Sequence, residues 1–81
     1  MGILNNISGK TAIKVFKKVG YYIDHQQGSH IILYNDKHGY PPLSIPNHKE
    51  LAPGLISRQI KKAKLTVKEF DDLRRNKRRK K

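Results

Sequence analysis

Cysteine is absent from the 81 residues, which excludes disulfides and thiolate zinc ligands and leaves packing and hydrogen bonds to carry the fold. The same absence fits a reducing compartment. Acidic residues are scarce. The six are scattered singly or sit in the Asp71-Asp72 pair beside a basic run, so paired-carboxylate and two-metal chemistry lacks its ligands. No apolar run approaches the roughly 18 residues that span a bilayer, and the first residues lack the charged and apolar blocks of a signal peptide. A cytoplasmic location without membrane contact is the expectation. Bulk is lacking too: a chain this short makes one domain and buries only about 60 to 65 per cent of the surface its unfolded form exposes.

Positive charge is what the chain has in excess. Eighteen Lys and Arg against six acidic residues give a formal net charge of +12. The run from Arg74 to Lys81 supplies seven of these cations, so residues 1–73 keep eleven basic and six acidic groups, a net of +5. Residues 1–73 are read as a single domain and 74–81 as a disordered basic tail. Such a tail either lengthens residence on a polyanion in a salt-sensitive way or acts as a solvated, solubilising arm that also suits an acidic partner.

Ser8 is placed to cap a first helix, in which Ala12, Val15, Phe16 and Val19 form one apolar stripe, and Gly20 stands where a left-handed residue would stop it. The opposite face carries Lys10, Lys14, Lys17 and Lys18, a phosphate-binding surface or a merely solvated one. Tyr21–Gln26 and Ser29–Asn35 read as two strands joined at Gln27-Gly28, followed by a short third strand, Leu43–Ile45, ended by Pro46. Both faces of the second strand are partly apolar, so alternation alone does not say which is buried. Pro53 suits the first turn of a second helix whose outer face carries Arg58, Lys61, Lys62 and Lys64. Thr66 and Glu69 match a capping box, and Leu65 with Phe70 a hydrophobic staple, for a short third helix. The order α-β-β-β-α with a short C-terminal helix implies a two-layer α+β domain with an antiparallel three-stranded sheet.

Two motifs fail on their spacing. Ser8-Gly9-Lys10-Thr11 resembles the end of a P-loop, yet Leu4 stands where that motif needs its first glycine. His25, His30, His38 and His48 include no pair at i, i+4 and have no cysteine to assist them, so no metal site and no cofactor are expected.

His30 is the residue with the most chemistry to offer. It follows Gly28-Ser29 at a turn on a polycationic surface. Histidine, with an unperturbed pKa of about 6.5, is suited to accept and return a proton near neutral pH. RNA carries its own nucleophile, the ribose 2′-hydroxyl, so its cleavage needs only a proton-transfer group, cations near the phosphate and a surface that aligns the strand. Lys10, Lys14, Lys17, Arg58, Lys61 and Lys62 are the candidate phosphate contacts. Ser29, Tyr34 and His48 complete the candidate RNA-binding set, Tyr34 by stacking from two positions along the face of His30, and His48 as a second proton-transfer or phosphate-contacting group. The competing reading makes His30 an exposed strand residue and His48 part of a turn.

These residues resemble the HicA toxins, small ribonucleases of toxin–antitoxin systems. The resemblance runs from Ser8 to Leu73. It rests on Ser8-Gly9-Lys10, Val19-Gly20-Tyr21, Gly28-Ser29-His30, Ile45-Pro46-Asn47-His48, Pro53-Gly54-Leu55 and Leu65-Thr66-Val67-Lys68-Glu69-Phe70. It implies a fold like the double-stranded RNA-binding domain (dsRBD), metal-independent cleavage of mRNA with His30 essential, and a HicB-type antitoxin, acidic at its contact surface, that covers the site. Lys64 departs from the pattern, which often has glycine there. A left-handed lysine would cost about 1 kcal/mol. Two rival functions remain from the residues themselves: a non-catalytic RNA-binding module of the same fold, and a protein-interaction domain whose basic surface meets an acidic partner.

Overall fold

The computed structural model describes residues 4–75. Its elements are α1 (Gly9–Lys18), β1 (Tyr21–Gln27), β2 (His30–Asn35), β3 (Leu43–Pro46), α2 (Pro53–Lys62) and α3 (Val67–Arg74). The strands form one antiparallel sheet in the order β1-β2-β3, with the helices packed on one side of it. This is the α+β order expected from the sequence.

Local chemistry sets the helix boundaries. The Ser8 hydroxyl accepts from the backbone N–H of Thr11 at 3.1 Å, and Gly20, with φ 108°, follows the C-cap residue Val19. Pro53 opens α2, where its missing N–H costs no intrahelical bond. Thr66 and Glu69 form the reciprocal box at the start of α3. Lys64 has φ 62°, and the bonds Lys64 N–H to Lys61 C=O and Leu65 N–H to Ile60 C=O make a Schellman stop for α2. The left-handed lysine is partly offset by its own side chain, whose Nζ lies 4.9 Å from the Tyr40 ring centroid, a cation–π contact worth about 0.5–1 kcal/mol.

Burial answers what alternation left open: Ile31 and Leu33 face the helices, while Ile32 is half-buried and His30 and Tyr34 are exposed. The β1–β2 connection lies one residue later than expected. Gln27 pairs with His30 across Gly28-Ser29, and a positive φ at Gly28 with none at Ser29 is the sign pattern of a II′ hairpin. The register shifts between Ile23 and His25, leaving Asp24 as the extra residue of a bulge.

The core gathers Phe16 of α1, Phe70 of α3 and Tyr21 of β1, with Phe16 to Phe70 at 5.5 Å and Phe16 to Tyr21 at 6.2 Å between ring centroids. Burial raises the pKa of Tyr21, with Tyr40 adding to the effect, and its hydroxyl donates to the Pro41 carbonyl at 2.8 Å. At the outer edge of β3, the half-buried backbone N–H of Ser44 meets the side-chain carbonyl of buried Gln59 at 3.4 Å. α2 therefore closes that edge of the sheet. α3 ends at Arg74 with Arg75 as its C-cap, and both guanidiniums pair with Asp71, so the first residues of the basic run are part of the folded unit. The rest of the expected tail, residues 76–81, lies outside the described residues.

Candidate nucleic-acid interface

Three segments far apart in the chain meet at one corner, and main-chain hydrogen bonds hold them together. The N–H of Asn47, just past β3, donates to the Ser29 carbonyl at 2.6 Å. The N–H of Gly9, first residue of α1, donates to the His48 carbonyl at 2.9 Å, and the N–H of Leu51 donates to Ile7 at 2.8 Å. α1 thus starts against the loop that leaves β3, and that loop is tied to the turn before His30.

Gly9 makes this approach feasible. A Cβ there would run into the carbonyl of Pro46, so any larger residue pushes α1 away from the loop. Gly28 serves a different need, since its φ of 59° favours glycine while the space around it is open.

Beside this corner an open groove of about 590 Å³ runs between α1 and the sheet. Ile13, Ile23 and Ile31 supply apolar lining, Ser8, Thr11 and Asn47 neutral polar groups, and Lys10, Lys14 and Lys17 the charge. All three lysines are exposed, and none forms an ion pair among the described residues.

His30 is exposed as the first residue of β2. Strand alternation puts its side chain on the open side of the sheet, whereas its neighbour Ile31 lines the groove on the helix side. The lysines of the groove therefore lie on the other side of the sheet from the imidazole. His48 is exposed on the neighbouring loop.

The structure thus joins through main-chain bonds the segments that carry Ser29, His30 and His48 of the expected set, and lines the adjacent groove with Lys10, Lys14 and Lys17. It separates the others. Tyr34 shares the open face but lies four residues along β2 from His30, roughly 13 Å at the rise of a strand. There it pairs with Tyr22, whose hydroxyl bonds Asp36 at 3.1 Å; that bond raises the Tyr22 pKa. Arg58, Lys61 and Lys62 are exposed on α2, which flanks the β3 edge, and none lines the groove. Lys18, grouped by spacing with the other lysines of α1, turns instead toward α3 and donates from Nζ to the Leu73 carbonyl at 2.9 Å.

Two residues of the groove, Asn47 and Ile23, were not among the candidates. The sole signal for Asn47 was its place within Ile45-Pro46-Asn47-His48. Ile23 looked like any apolar strand residue.

Among the described residues no three His, Asp or Glu side chains are grouped to hold a metal ion, and no helix is long and apolar enough to cross a membrane. No curated protein matches the chain significantly. The family model described as HicA toxin of bacterial toxin-antitoxin matches residues 9–65, a span that contains α1, the whole sheet and α2. With 57 of its 81 residues matched, the chain belongs to the HicA toxin family.

Proposed function

We propose that this protein is the toxin of a toxin–antitoxin pair and an endoribonuclease that cleaves mRNA in the cytoplasm through His30 without a metal cofactor. The observation that carries the reading is the corner itself. Main-chain bonds from Asn47 to Ser29 and from Gly9 to His48 gather two exposed histidines and a lysine-lined groove from segments distant in sequence.

In this reading Lys10, Lys14 and Lys17 hold phosphates of the strand and lengthen its residence. The neutral imidazole of His30 removes the proton of a ribose 2′-hydroxyl, and the 2′-oxygen attacks the adjacent phosphorus. The bond from phosphorus to the 5′-oxygen breaks as that oxygen takes a proton from His48. The products are a 2′,3′-cyclic phosphate and a 5′-hydroxyl end. Each well-placed proton transfer contributes about 10²–10⁴-fold. Tyr34, Arg58, Lys61 and Lys62, away from the groove, serve as outlying contacts to a longer RNA.

The test is RNA integrity. The parent protein, His30→Ala and His48→Ala are incubated with a long single-stranded RNA, with and without EDTA. The parent is expected to cleave equally in both conditions, His30→Ala to be slower by about 10³-fold with RNA affinity retained, and His48→Ala to be slower by about 10²-fold. Intact RNA in every lane from folded, antitoxin-free protein would replace this reading with a non-catalytic RNA-binding module.

A further inference from the structure

The two outer edges of the sheet are treated differently. α2 covers β3 through Gln59, but among the described residues nothing pairs with the outer edge of β1. The exposed large hydrophobic residues collect on and beside this strand: Ile23 is 46% exposed, Tyr22 41%, and Tyr34, paired with Tyr22, 39%. Ile23 is the unexpected one. It pairs with fully buried Leu33 and so shares the helix-facing side of the sheet, yet α1 leaves it uncovered over the groove.

An apolar floor edged by three unpaired lysines, next to an open strand edge, has the chemistry of a peptide-docking site. We infer that the antitoxin places an extended acidic segment here: its main chain pairs with β1, a bulky apolar side chain seats on Ile23 and Ile31, and its carboxylates meet Lys10, Lys14 and Lys17. Strand addition supplies affinity through main-chain bonds, while pockets for alternate side chains supply specificity. Charge complementarity steers the encounter and makes it salt-dependent. RNA fits the groove floor less well, because single-stranded bases favour aromatic or guanidinium faces and neither kind of side chain lines this groove.

This inference rests on the reading of the chain as an RNA-cleaving toxin, and it adds how the toxin is silenced. The segment occupies the lysines that would hold RNA phosphates. Inhibition is then competitive with RNA and requires no contact with His30.

The experiment compares the parent with Ile23→Ser, and with Ile23→Thr as the variant that keeps a β-branched strand residue. Circular dichroism checks folding. Calorimetry measures affinity for the antitoxin encoded with this toxin, and fluorescence anisotropy measures affinity for a non-cleavable 2′-O-methyl RNA; cleavage is followed alongside. Ile23→Ser is expected to lose about 10–100-fold in antitoxin affinity, a loss about tenfold larger than any it causes in RNA affinity or cleavage. Lys14→Glu should weaken both ligands, and added antitoxin should slow hydrogen exchange of the β1 amides. Unchanged antitoxin affinity in both Ile23 variants would overturn the inference. An equal loss of RNA affinity would also overturn it and make the groove an RNA site. If the parent cleaves no RNA, the nuclease reading fails, while the antitoxin affinities still report on the groove.

Discussion

At its C-terminal end α1 is held by side chains: Phe16 sits between Phe70 and Tyr21, and the Lys18 ammonium reaches the last turn of α3. At its N-terminal end, where Ile7 and Ala12 are buried, backbone contacts add to the packing, through the Gly9 N–H on the His48 carbonyl and through the missing side chain that lets Gly9 approach Pro46. The difference shows how a domain this small divides its work. Aromatic side chains committed to stability fill one end. The other end joins its segments through main-chain groups and leaves its lysine and histidine side chains exposed.

The contrast predicts that damage at the two ends will look different. The largest effect is expected from Phe16→Ala, which removes a fully buried ring and should cost about 3–5 kcal/mol of stability. A domain of this length has only about 4–12 kcal/mol in total. Urea denaturation should show the midpoint collapse, with RNA cleavage lost only as the unfolded fraction grows. If Phe16→Ala does not fold, Phe16→Leu should show the same pattern with a smaller shift.

Gly9→Ala is the matching probe of the other end. We expect a stability loss of about 1–3 kcal/mol from forcing apart α1 and the Pro46 loop. Under the proposed nuclease reading, cleavage should fall by about 10²-fold in the fraction that remains folded, because displacement of the loop carrying Asn47 and His48 would misplace the proposed reacting groups. Steady-state cleavage normalised to folded protein measures this. Activity that tracks stability alone, as expected for Phe16→Ala, would erase the distinction between the two ends.

The smallest effect concerns pH. The Asp71 carboxylate accepts a hydrogen bond from Arg74 and, against the opposing effect of its burial, its pKa is lowered below the ordinary 3.8, with Arg75 contributing further. A folded pKa below the unfolded one means that the pairing stabilises the protein at neutral pH. This contribution is lost as pH falls from the ordinary carboxylate value through the lowered folded one. Thermal melts between about pH 5 and pH 2 should show this decline in the parent and a flatter profile in Asp71→Asn, which should lose about 1 kcal/mol at neutral pH. Such a change belongs to the side-chain-held end, where α3 packs on α1, and cleavage per folded molecule should not change.

The helix boundaries were legible because each depends on residues within one turn. Ser8, Gly20, Pro53 and the Thr66/Glu69 box need no distant partner to act. The sheet was legible in order but not in detail. Apolar residues on both faces of β2 concealed which one is buried, and the Asp24 bulge has no local signature. At the candidate site, the lysine spacing on α1 was readable for Lys10, Lys14 and Lys17 but not for Lys18, whose direction was decided by α3. Grouping Tyr34 with His30 followed from shared face alone, and strand rise keeps the two apart.

Element order, helix stops, the excess of positive charge and the place of His30 beside a glycine turn are all written in the order of the residues. These follow from side-chain chemistry and short-range spacing. It takes the packed molecule to bring Gly9, Ser29 and His48 to one corner, to set Gln59 over one sheet edge, and to leave Ile23 open at the other. Contacts made by main-chain N–H and C=O groups are available to almost any residue, so their partners are chosen by packing.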